Sequence, residues 1–154
     1  MSFILYKKLI KTYKVFNKNK GLNNIDYISI IIIGDKNGGF GIGKSSNSNQ
    51  NISIFKALSK AKSNFFKISL KNGTITHPII GKFSRCFVKL YPSTNRILFS
   101  CGSYLRSIFD IIGIYKISSK IYGSKNFYNV LNAILNAFLN LRSFFFVKKK
   151  LNVY

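Results

Sequence analysis

The sequence contains no glutamate, and Asp26, Asp35 and Asp110 are its only acids. Asp26 and Asp35 flank one apolar strand and Asp110 falls inside a helical pattern, so no magnesium site can be assembled from them. There is one histidine, His77, and two cysteines, Cys86 and Cys101, which form no CxxC pair. A zinc site is thereby excluded, and no cofactor is expected. The two cysteines read as buried thiols of a reducing compartment, a disulfide being the alternative. Long hydrophobic runs are missing too: the longest aliphatic stretch, Ile30 to Ile33 with Ile28 before it, is far short of the roughly 20 residues that cross a bilayer. No membrane span is expected. The first residues lack a hydrophobic signal region and a cleavage site, and with no arginine and little serine they make a poor transit peptide.

What is present is positive charge. Lys and Arg number 25 against 3 acids, a formal net charge of +22 over 154 residues that are 47% hydrophobic. Such a chain can fold into one compact domain or two small ones, but its self-repulsion calls for a polyanionic partner. Nucleic acid is the first candidate and an anionic membrane the second. The bias toward Lys, Asn, Ile, Phe and Tyr, with Lys far above Arg, matches codons made mostly of A and T. It suggests a reduced organelle or symbiont genome, in which some lysines reflect mutation pressure rather than contacts.

Residues 25–33, IDYISIIII, are β-branched and aromatic and read as a strand ending in a tight turn. FGIG then alternates apolar residues with glycine, a second strand that bulges or lets another backbone come close, and the two form a hairpin. From Ser53 the period changes. Ile54, Ala57, Leu58, Ala61 and Phe65 lie on one helical face, with Lys56, Lys60 and Lys67 on the other. Lys71 to Thr74 is a turn. TITHPIIGKF, RCFVKLYP and NRILFS are strand-like, with Gly81 and Pro92 as punctuation. Ser103 is positioned to cap a helix that buries Leu105, Ile108, Phe109 and Ile112, pairs Arg106 with Asp110 and ends at Gly113. IYKISSKIYG is strand and loop, and a last helix from about Tyr128 turns Val130, Leu131, Ile134, Leu135, Phe138 and Leu139 inward. No repeat of 20 to 50 residues is present. The order predicts an α+β fold of two small domains rather than one α/β sheet.

GGFGIGKS, Gly38 to Ser45, matches the pattern of a phosphate-binding P-loop. A nucleotide hydrolase needs its helix to start at the Lys and Ser, whereas SNSNQN after them is loop-like and no helical pattern begins before about Ile52. The NTPase reading is therefore disfavoured. Two readings remain: the glycines bring backbone amides, with Lys36 and Lys44, close to a sugar-phosphate chain, or the loop is a plain hairpin turn with solvated lysines.

The loop does not stand alone. GDKNGGFGIGK, FKALSKAKSN, LKNGTITHP, LRSIFDIIGI and SKIYGSKN occur in an order and at a spacing that resemble the bacterial-type family of small-subunit ribosomal protein five, from about Tyr13 to Leu141. The resemblance implies a double-stranded-RNA-binding-like sheet with one helix, then a four-stranded sheet with two helices and a left-handed crossover. On this basis residues 1–12 are an N-terminal extension, 13–73 the first domain, 74–142 the second and 143–154 a basic tail. It also implies a non-enzymatic protein of an organellar ribosome, plastid-derived and apicoplast-like, with a mitochondrion or reduced bacterium as alternatives. Its implied partners are small-subunit rRNA, ribosomal proteins four and eight, and mRNA where it enters the subunit, with a role in decoding accuracy. A free-standing double-stranded-RNA-binding module is the rival reading.

Carried onto this chain, the resemblance implies RNA contacts from Lys20 and Gly21 in a basic loop, and from Lys36, Asn37, Gly41, Gly43 and Lys44 in the glycine-rich hairpin. Lys56 and Lys60 follow on the helix, where they are expected to face phosphates, since A-form RNA is read through shape and backbone. Asn72 stands in the inter-domain turn, and Arg85, Arg106, Tyr122, Gly123, Ser124 and Asn126 complete the set in the second domain. His77 reads as a structural hydrogen-bonder rather than an RNA donor, and Phe40 and Phe144 to Phe146 as packing rather than stacking residues. The chain departs from the family pattern at Ser45, Ser46 and Asn47, and at STNRIL after Pro92.

Overall fold

The computed structural model describes residues 5–19, 22–93 and 99–142. They divide into two compact units, Met1–Lys67 and Ile68–Tyr154.

The first unit is an antiparallel sheet in the order β1 (Tyr6–Asn19), β2 (Leu22–Gly34), β3 (Gly39–Asn47), β4 (Phe65–Lys67), with α1 (Gln50–Ser63) on one face. Ile31 and Ile33 of β2 are buried with Ala57 and Ala61 of α1, and Ile54 and Leu58 pack on that cluster. Both faces of β2 are buried, Ile30 and Ile32 as well as Ile31 and Ile33, as a continuous run of isoleucine demands. At the β2–β3 turn Asp35 Oδ1 accepts the N–H groups of Asn37 at 2.7 Å and Gly39 at 2.8 Å. That carboxylate holds the chain where Lys36 and Gly38 take positive φ values of 58° and 88°.

Two expectations change here. Residues 6–12, read as an extension, belong to β1, pairing from Tyr6 opposite Gly34 to Thr12 opposite Ser29. A register shift between Leu9 and Lys11 inserts one residue, so the strand's alternation breaks midway and does not show as a period of two. Phe65 does not extend the apolar face of α1. The helix ends at Ser63, and Phe65 starts β4, opposite Gly41, and is 39% exposed.

The second unit opens with a small hairpin, β5 (Leu70–Lys71) and β6 (Thr74–Ile75), whose turn sets Asn72 and Gly73 at φ 49° and 73°. Gly73 O accepts the amides of Tyr115 and Lys116, so this turn belongs to the second unit and the boundary falls at Lys67, not at residue 73. The main sheet runs β7 (Ile79–Phe83), β8 (Cys86–Pro92), β10 (Ile117–Gly123), β9 (Phe99–Ser100). β9 and β10 are parallel and are joined through α2 (Ser103–Ile112), while α3 (Phe127–Leu139) packs on β7 and β8. Cys86, Val88, Leu90 and Ile117 from the strands, Ile108 and Phe109 from α2, and Ile134 and Phe138 from α3 form the core. The Phe109 and Phe138 rings meet edge to face at 6.3 Å.

Gly81 is not punctuation. It is the middle of β7, and a Cβ there would collide with Ala133 O of α3. Ser103 is the first residue of α2 rather than its cap, which is Gly102, without a side-chain bond. α3 has the cap the other helix lacks, Asn126 Oδ1 accepting Tyr128 N at 3.2 Å. Gly113 ends α2 in the left-handed region at φ 90°, as expected of a helix-terminating glycine. Leu139, assigned to the inner face of the last helix, is 68% exposed in its final turn.

Candidate nucleic-acid interface

Gly41 and Gly43 are buried on the face of β3 that α1 covers. A Cβ on Gly41 would meet Ala61 O, and one on Gly43 would meet Ala57 O, with Ala61 N at 2.6 Å. The close backbone approach that the glycines permit is therefore to the protein's own helix, and neither residue presents itself to RNA. The same helix closes the question of nucleotide binding. Lys44 and Ser45 are strand residues of β3, and α1 starts only at Gln50, so no helix N-terminus stands at Lys44 to take a phosphate. Ser45 is buried with its carbonyl accepting Ser53 Oγ at 3.1 Å, while the same hydroxyl also reaches Tyr27 O at 2.9 Å. Ser53, at the start of the expected helical pattern, is thus a polar seam between α1 and the sheet. Among the described residues no group of three His, Cys, Asp or Glu side chains gathers to hold a metal, and no helix is long and apolar enough to cross a membrane.

The remaining expected residues form three groups. On α1, Lys56 and Lys60 are exposed one turn apart, flanking the stripe of buried Ala57 and Ala61. At the β2–β3 turn, Asn37 is exposed and Lys36 Nζ sits 4.4 Å from the centroid of the Tyr6 ring, which anchors it against the edge of β1. In the second unit, the β7–β8 turn and the β10–α3 loop come together: Ser124 N donates to Arg85 O at 3.0 Å, beside the paired Gly123 and Cys86. Exposed Arg85, Tyr122, Gly123 and Asn126 thus share one end of that sheet, with Ser124 half-buried among them. Gly123 serves the backbone, since its φ is 80° and a Cβ would strike Arg85 O.

Lys44 points, by its place in β3, to the sheet face opposite α1, and Asn72 sits in the β5–β6 turn. Arg106 is exposed on α2, away from these groups in sequence. Its charge opposes the effect of burial on Cys101, whose thiol burial raises above its ordinary value. Burial also raises the thiol of Cys86, which is fully covered, whereas Cys101 is half-buried. Lys20, Gly21, Phe144, Phe145 and Phe146 lie outside the described residues. His77 Nδ1 lies 2.9 Å from Thr76 Oγ1, which itself donates to Arg142 O, in keeping with a structural part. Phe40 is fully buried against Phe66 at 4.3 Å between ring centroids, a packing residue.

One surface escaped the sequence. The face of the second sheet turned away from Gly81 and α3 carries Phe87, Lys89 and Tyr91 of β8, with Lys82 of β7 and Lys120 and Tyr122 of β10 beside them. Only period two separates these residues from the buried Cys86, Val88 and Leu90, and in CFVKLYP both faces are largely apolar, so the alternation is masked.

Residues 81–150 match the family described as ribosomal protein S5, C-terminal domain. The small ribosomal subunit protein uS5 of Nitrosomonas eutropha is 33% identical over 132 residues, covering 86% of this chain and 75% of that protein. Those of Bordetella avium and a Polaromonas species are each 32% identical over 136 residues, covering 88% of this chain and 79% of theirs. A likeness of this extent, running through the basic helix of the first unit and the whole crossover sheet of the second, makes the chain a member of the uS5 ribosomal protein family.

Proposed function

We propose that the protein is a non-enzymatic structural constituent of the small ribosomal subunit that binds its rRNA. The observation that carries this reading is the pairing of a net charge of +22 with two folded units that turn lysine outward, above all Lys56 and Lys60 on α1. Phosphates neutralise that charge, and a helix stripe of ammonium groups suits the backbone of an A-form duplex. Lys20, Lys36 and Asn37, Lys44, Asn72, Arg106, and the group of Arg85, Tyr122, Ser124 and Asn126 are the further RNA contacts of this reading.

Family membership supports the finer statements. The protein sits beside ribosomal proteins four and eight, near the point where mRNA enters, and supports subunit assembly and decoding accuracy. The AT-rich composition supports a plastid-derived organelle as the ribosome's home, ahead of a mitochondrion or a reduced bacterium. A free-standing RNA-binding module is the weaker reading, because it leaves the separately cored second unit, which matches the family over residues 81–150, without a task.

Fractionating ribosomes from purified organelles and from whole cells tests the reading. The protein is expected to sediment with small subunits of the organelle through a gradient at low salt. Its presence only in ribosome-free fractions would overturn the ribosomal assignment, and its presence in ribosomes outside the organelle would overturn the location alone.

A further inference from the structure

The open face of the second unit's sheet has the makeup of a base-stacking platform. β8 and β10 pair so that Phe87 and Tyr122 stand directly opposite each other, with Lys82 of β7 on the other side of Phe87. In the next row Lys89 is opposite Lys120, and beyond it comes Tyr91. Lys89 and Lys120, with exposed Ile80 of β7 beside them, therefore lie between the Phe87–Tyr122 pair and Tyr91, which is opposite Ser118. Directly opposed side chains on a sheet are about 5 Å apart at Cβ, so Phe87 and Tyr122 are neighbours on this face. The rings are open: Phe87 is 39%, Tyr91 40% and Tyr122 46% exposed. Lys82 Nζ lies 5.2 Å from the Phe87 centroid and Lys89 Nζ 5.1 Å from that of Tyr122, which places positive charge at the ring faces.

We propose that this face binds an unpaired stretch of small-subunit rRNA, its bases stacking on Phe87 and Tyr122 and its phosphates meeting Lys82, Lys89 and Lys120. An apolar protein partner would have to desolvate three ammonium groups set among the rings, and lysine is depleted from the centres of such interfaces. A polyphosphate chain neutralises them instead. The unit's only acid, Asp110, is on α2, so no carboxylate of the sheet competes. Paired RNA cannot use the rings, because its bases are already stacked; single strands present them, and a four-stranded sheet with exposed aromatics is a known form of single-strand platform. This goes beyond the duplex-backbone contacts proposed for α1 and rests on the ribosomal reading only for the source of the RNA.

The test uses the full chain and a labelled oligouridylate of about ten nucleotides, with a blunt RNA duplex as comparison. Phe87→Ala is expected to weaken oligouridylate binding about ten-fold while leaving duplex binding unchanged; Tyr122→Ala is expected to weaken oligouridylate binding to a similar extent, and Tyr122→Phe to restore it. Ultraviolet crosslinking of the unaltered protein provides a second measurement that does not depend on variants folding: uridine adducts are expected at Tyr122, Phe87 or Tyr91. In isolated small subunits the same adducts are expected on rRNA. Unchanged oligouridylate affinity in folded Ala variants, adducts confined to other residues, or burial of the face by protein after removal of rRNA would each overturn the proposal. Each of these results leaves co-sedimentation with subunits untouched, so the two readings fail separately.

Discussion

Gly43 of β3 lies directly under the carbonyl of Ala57 on α1, so close that no side chain can stand between strand and helix. Gly43→Ala must push the helix off the sheet or bend the strand, at about 2 to 3 kcal/mol. Chemical denaturation should show the midpoint falling while the m-value holds. RNA affinity measured per folded molecule should stay at the wild-type level, which distinguishes packing glycine from phosphate-binding glycine.

Lys56 and Lys60 are solvent-exposed, so Lys56→Ala with Lys60→Ala should leave the fold intact. Binding to a double-helical rRNA fragment is expected to weaken, with the slope of log K against log salt shallower by about 2. For the unaltered protein, contact with about 6 to 10 phosphates implies roughly a thousand-fold or greater loss between about 50 and 200 mM salt. An unchanged slope in the double variant would assign the phosphate contacts to other lysines.

α2 begins without a side-chain cap because Gly102 occupies that position, in extended backbone at φ −61° and ψ 154°. Serine fits that conformation, and nothing lies within 4 Å of where its Cβ would be. Gly102→Ser is therefore expected to stabilise the protein, by about 0.3 kcal/mol, through a side-chain bond to an amide of the first turn. Thermal unfolding of the pair would show a small upward shift.

Burial raises both thiols in the folded state. A group whose folded value is raised contributes stability below its unfolded value and loses it as pH rises through the folded one, so the thiols weaken the fold only in alkaline solution. Alkylation at mildly basic pH should be faster at half-buried Cys101 than at covered Cys86. In denaturant the two should react alike.

Much of the architecture was legible because it rests on local signals. The run IDYISIIII, the turn GDKNGG and the lysine-lined helix after Ser53 each have one physical interpretation, and all three are realised in β2, the Asp35 turn and α1. β1 was less legible, since one inserted residue near Ile10 shifts its alternation. At the site, the chemistry of the lysines could be read but the direction of the glycines could not. FGIG announces that some backbone comes close at Gly41 and Gly43, and only tertiary structure shows it to be α1. The aromatic face of β8 and β10 was hidden for a related reason: strand alternation has two sides, and which one is covered depends on α3, distant in sequence.

The strand order of the second unit also bears on how the chain matures. Among the described residues β10 is the last strand to be synthesised, yet it lies between β8 and β9 and is the hydrogen-bonding partner of both. The β7–β8 hairpin can form as soon as it is made, but one edge of β8 stays unpaired until the chain has passed through β9 and α2 and come back. The first unit joins β1, β2 and β3 through successive local hairpins and has no such wait. A nascent chain would thus hold a finished amino-terminal half while the other half carries an open, apolar strand edge, the stage at which it is most exposed to wrong pairing and most in need of a chaperone.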